Sequence, residues 1–295
     1  MLMQTKRSSA SLGAILVVLS SITYASYGIW IKLDGTYFGD FTQGALRGLF
    51  VIAILIPLGI YLKRLSMIRL WRDRYAFIGL FIASMLISGP LFYAIKIIGV
   101  GLGIGITYVG IILGMFAFGR LIGGENYTRP KQISTAIGLI GLALIFVPGA
   151  KTFGLLGLFA ALLSGLGAGL GMVVSKHLQY TSLQITILNW ATATITNTAL
   201  ALFLNEAHPN ISLNIHWLYI IIFAVASLTS SWLVIAGLKL IDAGTVGILG
   251  LLEIVFGVFF GVIFFNEHPS ALTLVGMSLI VAAALVPYLN KHRTS

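Results

Sequence analysis

Between Arg7 and Lys32 the chain carries no charged side chain, and comparably long uncharged, apolar stretches recur to the C-terminal end. A helix rises ~1.5 Å per residue, so about 20 apolar residues match a ~30 Å hydrocarbon core. Cutting the chain at charges, prolines and polar clusters gives ten segments, roughly 11–31, 41–61, 75–95, 97–119, 132–148, 153–175, 183–204, 216–238, 243–265 and 269–289. The loops between them are short, and no stretch is long and polar enough to form a separate soluble domain. Composition then decides the solvent. The 295 residues are 58% hydrophobic and 9% charged, against about 25% charged in a soluble chain. The sequence predicts an all-α integral membrane protein of ten transmembrane helices.

The formal charge of +10 has two readings. A basic chain can bind nucleic acid, but no basic soluble domain is present to do so. The stronger reading is that Lys and Arg gather in cytoplasmic loops. With the N-terminus inside, the inner side holds Lys6, Arg7, Lys63, Arg64, Arg69, Arg72, Arg74, Arg120, Arg129, Lys131, Lys176, Lys239, Lys291 and Arg293. The outer side holds Lys32, Lys96 and Lys151, and Arg47 falls within a span. That asymmetry predicts a multi-pass protein of the cell (inner) membrane with both termini cytoplasmic. The opening "MLMQTKRSSASLGAILVVLSSITYA" also resembles a signal peptide. An uncleaved first span is the better reading, because the apolar character continues through Trp30 and the segment has a counterpart later in the chain.

The counterpart belongs to an internal repeat. Residues 96–125 read "KIIGVGLGIGITYVGIILGMFAFGRLIGGE", and residues 239–267 read "KLIDAGTVGILGLLEIVFGVFFGVIFFNE". Each is followed by one more span closing in Val-Pro, at Val147-Pro148 and Val286-Pro287. The fronts match more weakly, with "YGIWIK" ending at Lys32 and "GMVVSK" at Lys176. Two five-span halves are expected, residues 1–149 and 150–295. Five is odd, so the second half enters the membrane from the opposite side. Inverted repeats of this kind are characteristic of secondary transporters.

These residues resemble the drug/metabolite transporter superfamily, in its ten-span EamA-like form, over nearly the whole chain. The matching features are Tyr27-Gly28 with Lys32 in the first span, Arg47 in the second, Gly124-Glu125 and Asn266-Glu267 closing the fourth and ninth, and Leu252-Glu253-Ile254-Val255 within the ninth. Ile254 stands where relatives often have Pro, and Asn266 where they often have Gly. The resemblance implies a small-metabolite permease, often an exporter of amino acids or related solutes, and no enzyme. It also implies that helices one, three, four, six, eight and nine line a central cavity.

Two charges lie deep in predicted spans, Glu253 and Arg47. A charge at mid-bilayer costs at least about 2.5–3.5 kcal/mol on insertion scales, so such residues face a cavity or a partner. Arg47 has three readings: an anchor snorkelling to the interface, a partner for Glu253, or a ligand for a substrate carboxylate. Glu253 reads as a substrate or proton ligand, or as a structural hydrogen-bonding group. The candidate substrate-binding set is Glu253, Arg47, Tyr24, Tyr27, Ser88, Tyr108, Ser164, Ser231 and Trp232. Asn189 and Trp190 fall in span seven, which reads as peripheral. Trp30 and Trp217 read as interface-belt residues.

Several chemistries are disfavoured. There is no Cys, hence no disulfide and no thiolate site. His177, His208, His216, His268 and His292 all lie at loops or helix ends, without metal-ligand spacing. No span pairs a nucleophile with a base, so neither a metal, a cofactor nor catalysis is expected. "GVGLGIG" and "GLGAGLG" lack the preceding strand of a nucleotide loop. They predict close helix approach instead, through Gly101/Gly105 and Gly167/Gly171. The expected partners are the lipid bilayer and a small solute, with proton coupling through Glu253 as one option.

Overall fold

A computed structural model describes residues 2–65, 72–149, 154–206 and 214–289, with side chains from Ser9 to Val286. Arg69, Lys151, His208, Lys291, His292, Arg293 and the expected boundary at Ala150 lie outside the described residues. Those described form helices and no strand. The helices are α1 (Leu2–Ala25), α2 (Tyr27–Asp34), α3 (Asp40–Tyr61), α4 (Arg74–Ile98), α5 (Val100–Gly123), α6 (Arg129–Phe146), α7 (Leu155–His177), α8 (Ser182–Phe203), α9 (Ile215–Leu238), α10 (Ala243–Gly250), α11 (Leu252–Phe265) and α12 (Ala271–Leu289). Among the described residues, seven helical spans are long and apolar enough to cross a membrane: Ser9–Asp34, Asp40–Tyr61, Arg74–Ile98, Val100–Gly123, Leu155–His177, Ile215–Leu238 and Ala243–Phe265.

Two of these spans are interrupted. Ser26 separates α1 from α2, and its hydroxyl donates to the Thr23 carbonyl at 2.6 Å. Leu251 separates α10 from α11, where backbone bonds tighten to Leu251 N–H with Ile248 O at 3.2 Å and Ile254 N–H with Leu251 O at 3.0 Å. The ninth span is therefore broken without the proline that Ile254 replaces.

Helix ends follow their local sequence. Gly124 adopts φ +62° after α5, and the Glu125 N–H closes onto the Gly119 carbonyl at 3.0 Å. Asn266 adopts φ +51° after α11, and the Glu267 N–H closes onto Gly261 O at 3.2 Å. Both are left-handed caps, the conformation favoured by Gly and next by Asn. The N-terminus of α3 is capped from far along the chain. Glu206 accepts the Phe41 and Thr42 N–H groups at 3.0 and 2.7 Å, placing an anion at the positive end of the helix.

The closest-packed pairs, α5 with α7, α4 with α7, α6 with α12, α3 with α8 and α1 with α9, each join a helix before residue 149 to one after residue 154. Glycine permits the tightest of them. A Cβ on Gly110 would meet the Gly165 Cα at 2.9 Å, and one on Gly169 the Gly114 Cα at 2.8 Å. Gly105 and Gly167 are also crowded, by Phe146 and Leu86, but Gly101 has ordinary space. On α7 the closest approach falls within the glycine run, at Gly165 and Gly169, but on α5 it falls beyond the run, at Gly110 and Gly114. Trp30 and Trp217 pack with Phe38, Ile220 and Phe223, and their indole nitrogens are buried without a partner. Neither presents its N–H to an interface.

Candidate substrate cavity

Helices from both parts of the chain enclose a cavity of about 270 Å³. That is close to the ~300–1,000 Å³ range of small-molecule pockets. Its polar lining includes Tyr24 and Tyr27 flanking the Ser26 interruption, Arg47 from α3, Ser84 and Ser88 from α4, and Ser231 from α9. Apolar wall comes from Leu80, Ala83 and Ile87 of α4, Ala168 and Met172 of α7, and Val234 and Ile235 of α9. The α8 contribution is Asn189, Trp190, Thr192, Ala193 and Asn197. The sequence reading took span seven as peripheral and missed these residues. The available signal was its polarity, since α8 is not among the spans apolar enough to cross a membrane by composition.

Arg47 is the one charged side chain lining the cavity. Its guanidinium carbon lies 4.2 Å from the Phe223 ring centre and 5.3 Å from those of Tyr27 and Trp190. Its Nε is buried without a hydrogen-bond partner. Cation–π contacts contribute about 0.5 kcal/mol when exposed and about 2 kcal/mol when desolvated. Three of them are comparable with the ~2.5–3.5 kcal/mol cost of placing Arg inside a membrane. The rings therefore hold the charge in place while leaving its donors unmet. No ion pair joins Arg47 to a carboxylate among the described residues, and the aromatic cage replaces the interfacial anchor that the sequence allowed. Pairing with Glu253, also allowed, is not formed.

Glu253 sits in the first turn of α11, immediately after the Leu251 interruption, and is half-buried. Its carboxyl lies near the Tyr108 side chain of α5. Tyr24 and Tyr27 lie close enough to feel both charges, Glu253 and Arg47, and their ring centres are 5.1 Å apart. Glu253 and Tyr108 are not part of the cavity wall.

The other candidates separate. The Tyr27 hydroxyl meets that of Ser230 at 2.8 Å, and Ser231 accepts the Trp190 indole N–H at 2.9 Å while donating to Ser227 O. Ser164 is buried and donates to the Ile87 carbonyl at 2.9 Å, a tie between α7 and α4. Trp232 is 42% exposed on the outer surface of α9 and is not part of the cavity wall. The cavity brings together Arg47, Tyr24, Tyr27, Ser88 and Ser231, and leaves out Glu253, Tyr108, Ser164 and Trp232.

Two ion pairs mark opposite ends of the bundle. Lys176 at the end of α7 bridges Glu125 after α5 at 2.5 Å and donates to Ile241 O at 2.8 Å. The other Glu125 oxygen accepts the Ala243 N–H at 2.8 Å. At the other end, Lys32 of α2 bridges Glu267 after α11 at 2.9 Å. The first pair is largely buried; the second is exposed, at 54% and 56%.

The family model of the EamA-like transporter family matches residues 155–289. The second half of the chain is thus similar to that family. That match, with the long apolar helices, supports a multi-pass membrane transporter of the drug/metabolite type. A crystal structure of another protein superposes on 94% of this EamA-like chain and 98% of its own, with TM-score 0.77 at 19% identity. At that identity the likeness speaks for the fold alone. No curated protein matches the sequence significantly.

Proposed function

We propose that this EamA-like protein moves a small metabolite, such as an amino acid or a related solute, by alternating access around the Arg47 cavity. The observation that carries the reading is the crosswise pairing of its ends. Lys32 corresponds to Lys176 in the sequence repeat and Glu125 to Glu267, and each Lys bridges the Glu of the other half. The Gly119 to Glu125 cap and the Gly261 to Glu267 cap repeat the same geometry. The principal helix pairs also join the two halves throughout. This pattern supports ten spans in two inverted five-helix repeats, related by a pseudo-two-fold axis in the membrane plane. Each ion pair then closes one face, with the Lys176–Glu125 end cytoplasmic alongside both termini. The interrupted helices beside Tyr24, Tyr27 and Glu253 suit a binding region, because transporters place broken helices there.

The test is counterflow in proteoliposomes preloaded with a mixture of amino acids. Saturable exchange of at least one labelled amino acid, absent from protein-free liposomes, is expected. Exchange that never saturates for any of them would sink the amino-acid reading. An imposed pH gradient separates the two forms of transport. Accumulation that follows the gradient supports proton coupling, and indifference to it supports uncoupled facilitation.

A further inference from the structure

We propose that the cavity takes an organic carboxylate with a compact apolar body, its anion held by the Arg47 guanidinium. The inference rests on the transport reading and specifies its solute. Four observations carry it. Arg47 is the one charged group on the wall, so the lining carries a positive charge and no negative one. Its guanidinium makes no hydrogen bond to a protein acceptor among the described residues, and its Nε is buried unpaired. The Tyr27, Trp190 and Phe223 rings occupy its flanks without supplying any acceptor in the guanidinium plane. A planar carboxylate fits that plane, since its two oxygens match the fork of N–H donors.

Two further donors face the same space. The Ser84 and Ser88 hydroxyls line the cavity one helical turn apart on α4, and neither bonds a protein group among the described residues. The remaining polar wall is mostly committed. Ser231 is engaged with Trp190 and Ser227, Asn189 with Ser175, and Thr192 with the Asn189 carbonyl. The open groups are the Arg47 guanidinium, two hydroxyls able to donate and the Asn197 amide oxygen, and the one formal charge among them is positive, which is the complement of an anion with a neutral donor beside it. A single guanidinium balances one negative charge, which favours a carboxylate over a doubly charged phosphate. The body of the solute would lie on Leu80, Ala83, Ile87, Met172 and Val234. Glu253 is not part of this wall and forms no ion pair with Arg47, which leaves it a separate role.

Matched acid and amide pairs test the assignment on the purified full-length protein. The probes are phenylacetate, 4-methylpentanoate and L-phenylalanine, each against its own amide, with binding read by thermal shift and titration calorimetry. At least one acid is expected to bind about tenfold or more tighter than its amide, as a charge-assisted pair implies. Arg47→Gln should erase that preference and Arg47→Lys should retain part of it. The wild-type comparison stands even where a variant fails to fold. Amides binding as tightly as their acids, or no acid binding at all, overturns the carboxylate assignment. Saturable flux of neutral or cationic solutes alone would overturn it too, while leaving the transport reading intact. Acid binding without saturable flux of any solute would leave this inference standing and defeat the transport reading.

Discussion

Arg47 and Glu253 are both charged groups inside an apolar chain, and the structure gives them different surroundings. Arg47 is held by aromatic faces, which stabilise a cation without consuming its hydrogen-bond donors. Glu253 begins a helix after a break, at the positive end of that helix, which favours an anion, and it lies near Tyr108 of α5. If Glu253 handles a proton or a substrate amine, Glu253→Gln removes a charge-assisted hydrogen bond. The expected loss is about 1.5–3 kcal/mol, or roughly tenfold or more in flux, with a flattened pH profile. Proteoliposome flux at several pH values checks this; an unchanged rate and profile would leave Glu253 a structural role only. A second prediction concerns Asp242, which caps α10 by accepting the Thr245 N–H at 2.9 Å and bridges Lys131 at 2.8 Å. Burial alone would push its carboxyl up, but the Lys131 and Thr245 hydrogen bonds prevail and hold it below the usual carboxylate range. A depressed carboxyl stabilises the fold above the unfolded value of ~3.9, and that contribution is lost as pH falls through the lower folded value. Asp242→Ala should therefore destabilise by about 1 kcal/mol at neutral pH. The gap to wild type should narrow on acidification below about pH 4. Melting curves across that range decide it, and a gap independent of pH counts against the assignment.

At the scale of elements, glycine rather than side-chain interdigitation sets the contact between α5 and α7. A methyl group on Gly165 would meet the Gly110 Cα at 2.7 Å, and backbone on both sides leaves it no room to move. Gly257, in the middle of α11, has nothing within 4 Å of its would-be Cβ. Gly165→Ala should lower stability by about 1–3 kcal/mol, the range for overpacking. Gly257→Ala should be neutral or slightly stabilising, since Ala is the better helix former. Thermal unfolding in detergent compares the two, and equal effects would mean that the α5–α7 approach is looser than described. The breaks at Ser26 and Leu251 belong to the same scale. Neither is made by proline: Ser26 turns its hydroxyl onto the Thr23 carbonyl, and the backbone around Leu251 tightens by one residue per turn.

For the whole molecule the two crosswise ion pairs are unequal. The Lys176–Glu125 pair is largely enclosed and reinforced by the Ile241 carbonyl and Ala243 N–H, while Lys32–Glu267 is open to solvent. Exposed pairs contribute about 0–1 kcal/mol, whereas breaking an enclosed pair by removing one partner costs about 3–5 kcal/mol. Lys176→Glu should consequently shift the molecule away from the conformation described, and Lys32→Glu should do so far less. The chain has no Cys, so a cysteine placed at Ser88 is its only thiol. Labelling of that thiol from the Lys176 face should rise in Lys176→Glu and fall back in the double swap Glu125→Lys, Lys176→Glu. Labelling that ignores all three variants would mean that the pair is not a closure.

The apolar segments, the helix class and the glycine-rich contact helices were legible in the sequence because they follow from local hydropathy and residue size alone. The ten sequence segments and the helices agree to within a few residues at most ends, and the tight α5–α7 approach arises in spans whose glycine richness is plain to read. That Arg47 and Glu253 fall inside long apolar helices was legible too, since it is a matter of position along the chain. Which helix faces which is not a local property. Span seven read as peripheral, yet its Trp190 reaches across to Ser231 of α9 and flanks Arg47. Ser164 read as a ligand, yet α7 packs so closely on α4 that its hydroxyl is spent on Ile87. The sequence by itself determined that the chain is a bundle of apolar helices with two charges inside it. Only the tertiary structure decided that those charges do not pair, because the rotation of each helix about its axis is set by packing against neighbours distant in the chain.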